Sequence, residues 1–153
     1  LIYRIKYVVV LIYIPSYSDL LCQAKILSEG NDITIVSYSN MVNVVKDAIS
    51  SDELSEISVE LIDLQTLSPL DMQTIITSVS KTKKLLVCQE APANSSVGST
   101  VISNVVQSDA FSSLSIAPRL VSGLHWPMPS SKHLETTVIP QKEDIMQAIK
   151  DMV

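Results

Sequence analysis

Two histidines, His125 and His133, lie eight residues apart, and two carboxylates, Asp63 and Glu90, precede them on other segments. A histidine pair with a carboxylate can hold a metal ion or move protons. A spacing of eight through Pro127 and Pro129 matches no metal template, so a loop or interface role is expected for both histidines. Ser37, Ser39, Ser95 and Ser96 could be nucleophiles, but none has the Gly-x-Ser-x-Gly surroundings that expose a serine on a sharp elbow. Helix capping accounts for all four. Cys22 has no visible base partner and reads as a structural thiol. Ser95, Ser96 and Gly98 open a predicted helix whose free amides could hold an anion; ordinary capping is the simpler reading. Trp126, between His125 and Pro127-Met128-Pro129, makes a rigid apolar patch suited to partner contact or to covering a sheet edge. With three glycines in all (Gly30, Gly98, Gly123), the chain has no glycine-rich phosphate cradle.

These residues hang on a scaffold that is clearest in the stretch from 58 to 92. Val59, Leu61 and Ile62 read as a strand covered on both faces, interrupted only by Glu60. Ser68, Pro69 and Asp71 form a capping arrangement with the serine as N-cap. Met72, Ile75, Ile76 and Val79 recur at helical spacing, and Lys81, Lys83 and Lys84 suit the negative end of that helix. Leu85 to Cys88 make a second buried strand, which Gln89-Glu90-Ala91-Pro92 ends. Strand, crossover helix and strand predict a parallel, right-handed unit.

Around it, Leu20 to Leu27 is a short apolar segment and Glu29 to Asp32 a turn. Ile33, Ile35 and Val36 form a strand; Met41, Val44, Val45, Ala48 and Ile49 give a helical face capped by Ser39 or Asn40. Ser50 to Glu56 is a polar connection. A further helix buries Val97, Val101, Ile102, Val105 and Val106, and a second polar connection runs from Asp109 to Ser115. Leu120 and Val121 form a short strand, residues 123–131 a loop, and Thr136 to Ile139 another extended piece. The last helix buries Ile145, Ala148, Ile149 and Met152. Alternating strands and helices predict an α/β fold with a mostly parallel sheet between two helical layers.

Composition narrows the function classes. The 153 residues suit one domain, and a net charge of −5 gives no footprint for nucleic acid or anionic lipid. Two cysteines make no disulfide framework, and Cys88 inside a central strand favours a reducing compartment. The opening run LIYRIKYVVVLIYI (1–14) is too short to span a bilayer; it reads as a β-prone lead-in or the remnant of a preceding domain. A start at Leu1 is expected of a fragment.

Five blocks carry a resemblance. EGNDITIVSYSNMV (29–42), SVELIDLQTLSPLDMQTIITSVSKT (58–82), LLVCQEAP (85–92), GLHWPMP (123–129) and IPQKEDI (139–145) resemble, in order and spacing, the carboxyl-terminal domain of the transketolase superfamily. They look most like the beta subunit of the decarboxylating component of a 2-oxo acid dehydrogenase complex, pyruvate type first and branched-chain type second. The resemblance implies a three-layer α/β/α domain with a five-stranded, mostly parallel sheet over residues 20–153, after an unmatched lead-in at 1–19. In that family thiamine diphosphate and magnesium are held by other domains, one of them through a Gly-Asp-Gly motif that this chain lacks. The resemblance therefore implies no catalytic, cofactor or metal residue here. It implies partners: an alpha subunit, a second beta subunit and the acyltransferase core. The candidate interface is Glu90, Gly98, His125, Trp126, Pro127, Met128, Pro129, Met152 and Val153. The implied location is the mitochondrial matrix in a eukaryote and the cytoplasm otherwise. Some positions depart from the family: Ser39 stands for the glycine of Ser-Tyr-Gly, and Ser95-Ser96-Val97-Gly98 for a Gly-Gly-Phe-Gly run. His125 replaces the acid of Gly-x-Asp, LLCQA (20–24) differs from the family's linker, and APRLVSG (117–123) is one residue short. Two other readings stand beside the assembly domain: a stand-alone partner- or anion-binding module, and a small metalloenzyme on His125, His133 and Glu90.

Overall fold

The computed structural model describes residues 23–153; the lead-in at 1–19 and Cys22 lie outside them. Five strands, β1 (Lys25–Ser28), β2 (Ile33–Ser37), β3 (Val59–Asp63), β4 (Leu85–Pro92) and β5 (Arg119–Gly123), form one sheet in the order β1-β3-β2-β4-β5. All neighbours are parallel except β1, which runs antiparallel to β3 at one edge. The helices are α1 (Met41–Ile49), α2 (Met72–Thr82), α3 (Val97–Val106), α4 (Lys132–Glu135) and α5 (Lys142–Lys150).

Strand alternation sorts the core into two layers. Ile33, Ile35, Leu61, Leu86 and Cys88 meet Met41, Val45 and Ala48 of α1 and Ile145 and Ile149 of α5 on one face. Val36, Ile62, Leu85 and Val87 meet Ile75 and Val79 of α2 and Val101 and Val105 of α3 on the other. β2 is buried along its whole length, which is why its apolar run lacks the alternation of a half-wet strand. The three-layer, mostly parallel architecture is therefore as the sequence predicts.

Several local readings change. The N-cap of α2 is Asp71, not Ser68: Asp71 Oδ1 accepts the Thr74 amide at 3.1 Å and Oδ2 the Ala24 amide at 2.9 Å. A carboxylate placed to serve both the helix end and the entry into β1 outcompetes a serine three residues earlier. Asn40 sits at the start of α1 but caps nothing with its side chain. The fifth strand is β1, which overlaps the end of the 20–27 segment; residues 136–139 instead form a turn, with the Val138 and Ile139 amides both donating to Glu135 O. β4 continues past Cys88 to Pro92. The 50–56 connection contains a 3-10 turn, Asp52–Leu54, that buries Leu54, and Val106 at the end of α3 is exposed.

Glu60, read as an interruption of a strand, is 2% exposed and ion-paired with the half-exposed Lys81 of α2. Burial would raise its pKa, but hydrogen bonds from Lys81, Ser78 and the Gly30 amide outweigh it and hold the carboxyl below the usual glutamate range. The same layer ties Thr34 Oγ1 to Ser78 Oγ and Thr82 Oγ1, each at 2.6 Å. Because the folded pKa is depressed, this stabilisation is present above the unfolded value of about 4.3 and is lost as pH falls through the folded value. Lys81→Met should strand the buried carboxylate and cost on the order of 2 kcal/mol, less than for a fully buried pair because Lys81 is half in water. Glu60→Leu with Lys81→Met should recover most of that loss and flatten the acid limb of a urea-denaturation series.

Candidate functional site

In open parallel sheets, ligand chemistry collects beyond the carboxyl ends of the strands. Here those ends are the loops after β2 (Tyr38–Asn40), β3 (from Leu64), β4 (Ala93–Ser96) and β5 (from Leu124).

Gln89 organises this end. Fully buried, it accepts the Gly98 amide on Oε1 at 2.8 Å and donates Nε2 to Ala91 O at 2.9 Å and Pro92 O at 3.1 Å. It thus joins the last turn of β4 to the first turn of α3. Tyr38 Oη donates to the same Oε1 at 3.4 Å, and burial and then the neighbouring Glu90 charge raise the Tyr38 pKa. Glu90 receives only a long contact from Asn40 Nδ2, at 3.5 Å. Ser37 Oγ donates to Cys88 O at 3.0 Å, and burial pushes the Cys88 thiol far up, so neither is a nucleophile.

The free amides at the start of α3 are already committed. Gly98 N goes to Gln89, Ser99 N to Ser96 Oγ at 3.1 Å and Thr100 N to Ser96 O at 3.0 Å. Ser96 is a cap, as its position predicts, and the helix start offers little to an anion. Among the described residues no group of three or more His, Cys, Asp or Glu side chains could hold a metal ion. His125 and His133 are both exposed. No step of thiamine diphosphate chemistry is written through these residues.

The glycines and the strained residues do different jobs. A Cβ on Gly98 would lie 2.6 Å from Gln89 Oε1, and one on Gly123 would lie 2.2 Å from Glu90 O, so both are held by close approach. Left-handed backbone falls instead on Ser39 (φ 58°), Gln65 (φ 52°) and Ser95 (φ 51°), one in each of three strand-end loops, and on Lys83 (φ 63°) at the end of α2. Ser39 and Ser95 are the two serines that the resemblance above sets against glycines.

The remaining candidates form a surface. Trp126 is 71% exposed and Met128 54%, and Leu124 and Leu134 add about half of each side chain to the same loop region. Pro127 is exposed, Pro129 less so, and Val153 is half exposed at the chain's end. Gly98 and Met152 are buried; Met152 packs into the α1–α5 layer, so it supports the tail from beneath rather than offering a side chain to a partner. Gln89, Tyr38, Leu124 and Leu134 escaped sequence reading. Gln89 alone had a signal, a polar residue closing the apolar run LLVC.

Comparison with known proteins places this geometry. The family model "Transketolase, C-terminal domain" matches residues 22–145. The chain belongs to this family. A transketolase C-terminal domain accounts for the sheet order, the two helical layers and the strand-end loops together. The pyruvate dehydrogenase E1 component subunit beta of Rickettsia conorii is 41% identical over 84% of the chain, and 39% of that protein is covered. The mitochondrial protein of the same name from Ascaris suum is 41% identical over 84% of the chain, with 36% of it covered. The chain thus spans less than two fifths of these relatives. A solved structure described as "Split gene transketolase, inactive beta4 tetramer" superposes with a TM-score of 0.72 over 86% of the chain and 42% of its own, at 20% identity, which speaks to the fold.

Ser39→Gly should stabilise the domain by about 1 kcal/mol, since glycine carries no left-handed penalty; a rise in melting temperature of roughly 2–4 °C checks it. Gln89→Leu should leave the Gly98 amide and two carbonyls unpaired and cost roughly 2 kcal/mol, with hydrogen exchange accelerating first across residues 91–98.

Proposed function

We propose that this chain is the carboxyl-terminal assembly and docking domain of a thiamine-diphosphate-dependent pyruvate dehydrogenase beta subunit, and that it performs no chemistry alone. The observation that carries the reading is the similarity at about 40% identity to relatives named as that subunit, over most of this chain but under two fifths of theirs. The site supports it from the other direction: the Gly98 and Ser99 amides that open α3 are spent on internal bonds, while the apolar side chains at 124–134 face water. A domain of this design stabilises an assembly. Its partners are then an alpha subunit, a second beta subunit and the acyltransferase core, with thiamine diphosphate and magnesium held on other domains. Neither nucleic acid nor membrane is a partner in this reading. The compartment is the mitochondrial matrix in a eukaryotic host and the cytoplasm in a bacterial one.

Within it, Trp126, Pro127, Met128 and Pro129 form the docking surface, with Val153 contributing the tail and His125 and Glu90 the polar rim. Large aromatic and methionine side chains on a proline-stiffened loop lose little entropy on contact. Trp126→Ala in the full-length parent subunit should weaken its association with the acyltransferase core by roughly tenfold or more, the range of an aromatic hot spot. Calorimetric titration of the two purified components reads this; unchanged affinity would remove the loop from the interface.

A further inference from the structure

The sheet has two edges, β1 and β5. β1 is four residues long, begins with Lys25 and has an irregular register between Ile26 and Ser28, all devices that discourage further pairing. β5 is the other edge. It spans Arg119–Gly123, opens on Arg119, contains no proline, and lies on β4 in unbroken register from Arg119 to Val121, with an irregularity before Gly123. Among the described residues no backbone group pairs with its outer side; the nearest such bond is the Leu124 amide to Val138 O at 2.9 Å, just beyond the strand.

That outer side opens into a groove of about 360 Å³, walled on the far side by the Thr137–Pro140 turn. Leu120, Val121, Leu124, Val138 and Ile139 supply apolar lining, and Asp144 is its one ionisable residue. One Asp144 oxygen accepts the Gln141 amide at 2.8 Å, and no cation pairs with this carboxylate among the described residues. A row of unpaired amides and carbonyls complements an extended backbone, an apolar pocket beside it complements alternate side chains, and a carboxylate that caps a helix but meets no cation can still complement one.

We propose that this groove receives an extended segment of a partner polypeptide as a sixth strand on β5, apolar at alternate positions and carrying a lysine or arginine opposite Asp144. The site is separate from the 126–129 docking surface and does not depend on it.

A random heptapeptide library displayed on phage, panned against the full 153-residue chain, tests this, with enriched peptides then made synthetically. The expected peptides alternate apolar and polar residues, carry a basic residue, and slow amide hydrogen exchange across residues 119–123. Thr137→Trp, which fills the groove, should abolish binding. Asp144→Asn, which keeps an oxygen for the helix cap, should weaken binding about threefold, as for an exposed ion pair, and the difference should vanish in high salt. Circular dichroism melts establish that each variant folds, and the exchange pattern of the unmodified chain decides if one does not. Failure to enrich any peptide, or protection confined to other elements, overturns the proposal. Slow exchange at 119–123 in the chain alone that is lost on dilution also overturns it, by giving the edge to a second copy.

Discussion

β2 and β4 lie side by side with both faces dry, and the domain's other features follow from that burial. Ile33, Ile35, Val36, Leu85, Leu86 and Val87 are fully inaccessible. Two helices must therefore lie on each side, and parallel strands need the crossovers that α1, α2 and α3 supply. At roughly 25 cal/mol per Å² of apolar surface removed from water, this central pair anchors the fold. Everything polar within it has to be satisfied internally, and Thr34, Glu60 and Gln89 are.

The same constraint decides what the strand ends can do. Gln89 spends all its bonding capacity fastening β4 to α3, Asp71 fastens α2 to the approach to β1, and Ser96 closes the start of α3. Side chains so engaged hold loops in place but do not approach a ligand. Strain persists in the same loops, since Ser39 and Ser95 adopt backbone angles that glycine takes at no cost. The substitutions weaken the loops without altering the sheet, because the left-handed residues lie outside the ladders.

Much of this was legible in the residues. The β3–α2–β4 unit and the helical faces of α1, α3 and α5 follow from hydrophobic period, with the predicted cap holding at Ser96 of α3, and the block resemblance supplied the sheet's size. What failed, failed for identifiable physical reasons, some tertiary and one local. Asp71 wins the cap because it also serves Ala24, 47 residues away, which no local rule detects. Residues 136–139 have β-prone Thr and Val but are held as a turn by bonds back to Leu134 and Glu135. β1 is half exposed and alternates weakly, so only pairing with β3 defines it. For the site, the exposed Trp126 loop was visible from its prolines, whereas the role of Gln89 depends on where α3 begins in space.

Under the proposed function the domain contributes surface to an assembly and holds no cofactor of its own. Isothermal titration of the purified chain with thiamine diphosphate in the presence of magnesium tests it most directly. The account predicts no saturable heat at millimolar ligand, and the same trace with magnesium omitted. Stoichiometric, magnesium-dependent binding in the micromolar range would contradict it, and would mean that the strand-end groups are freed from the internal bonds described above.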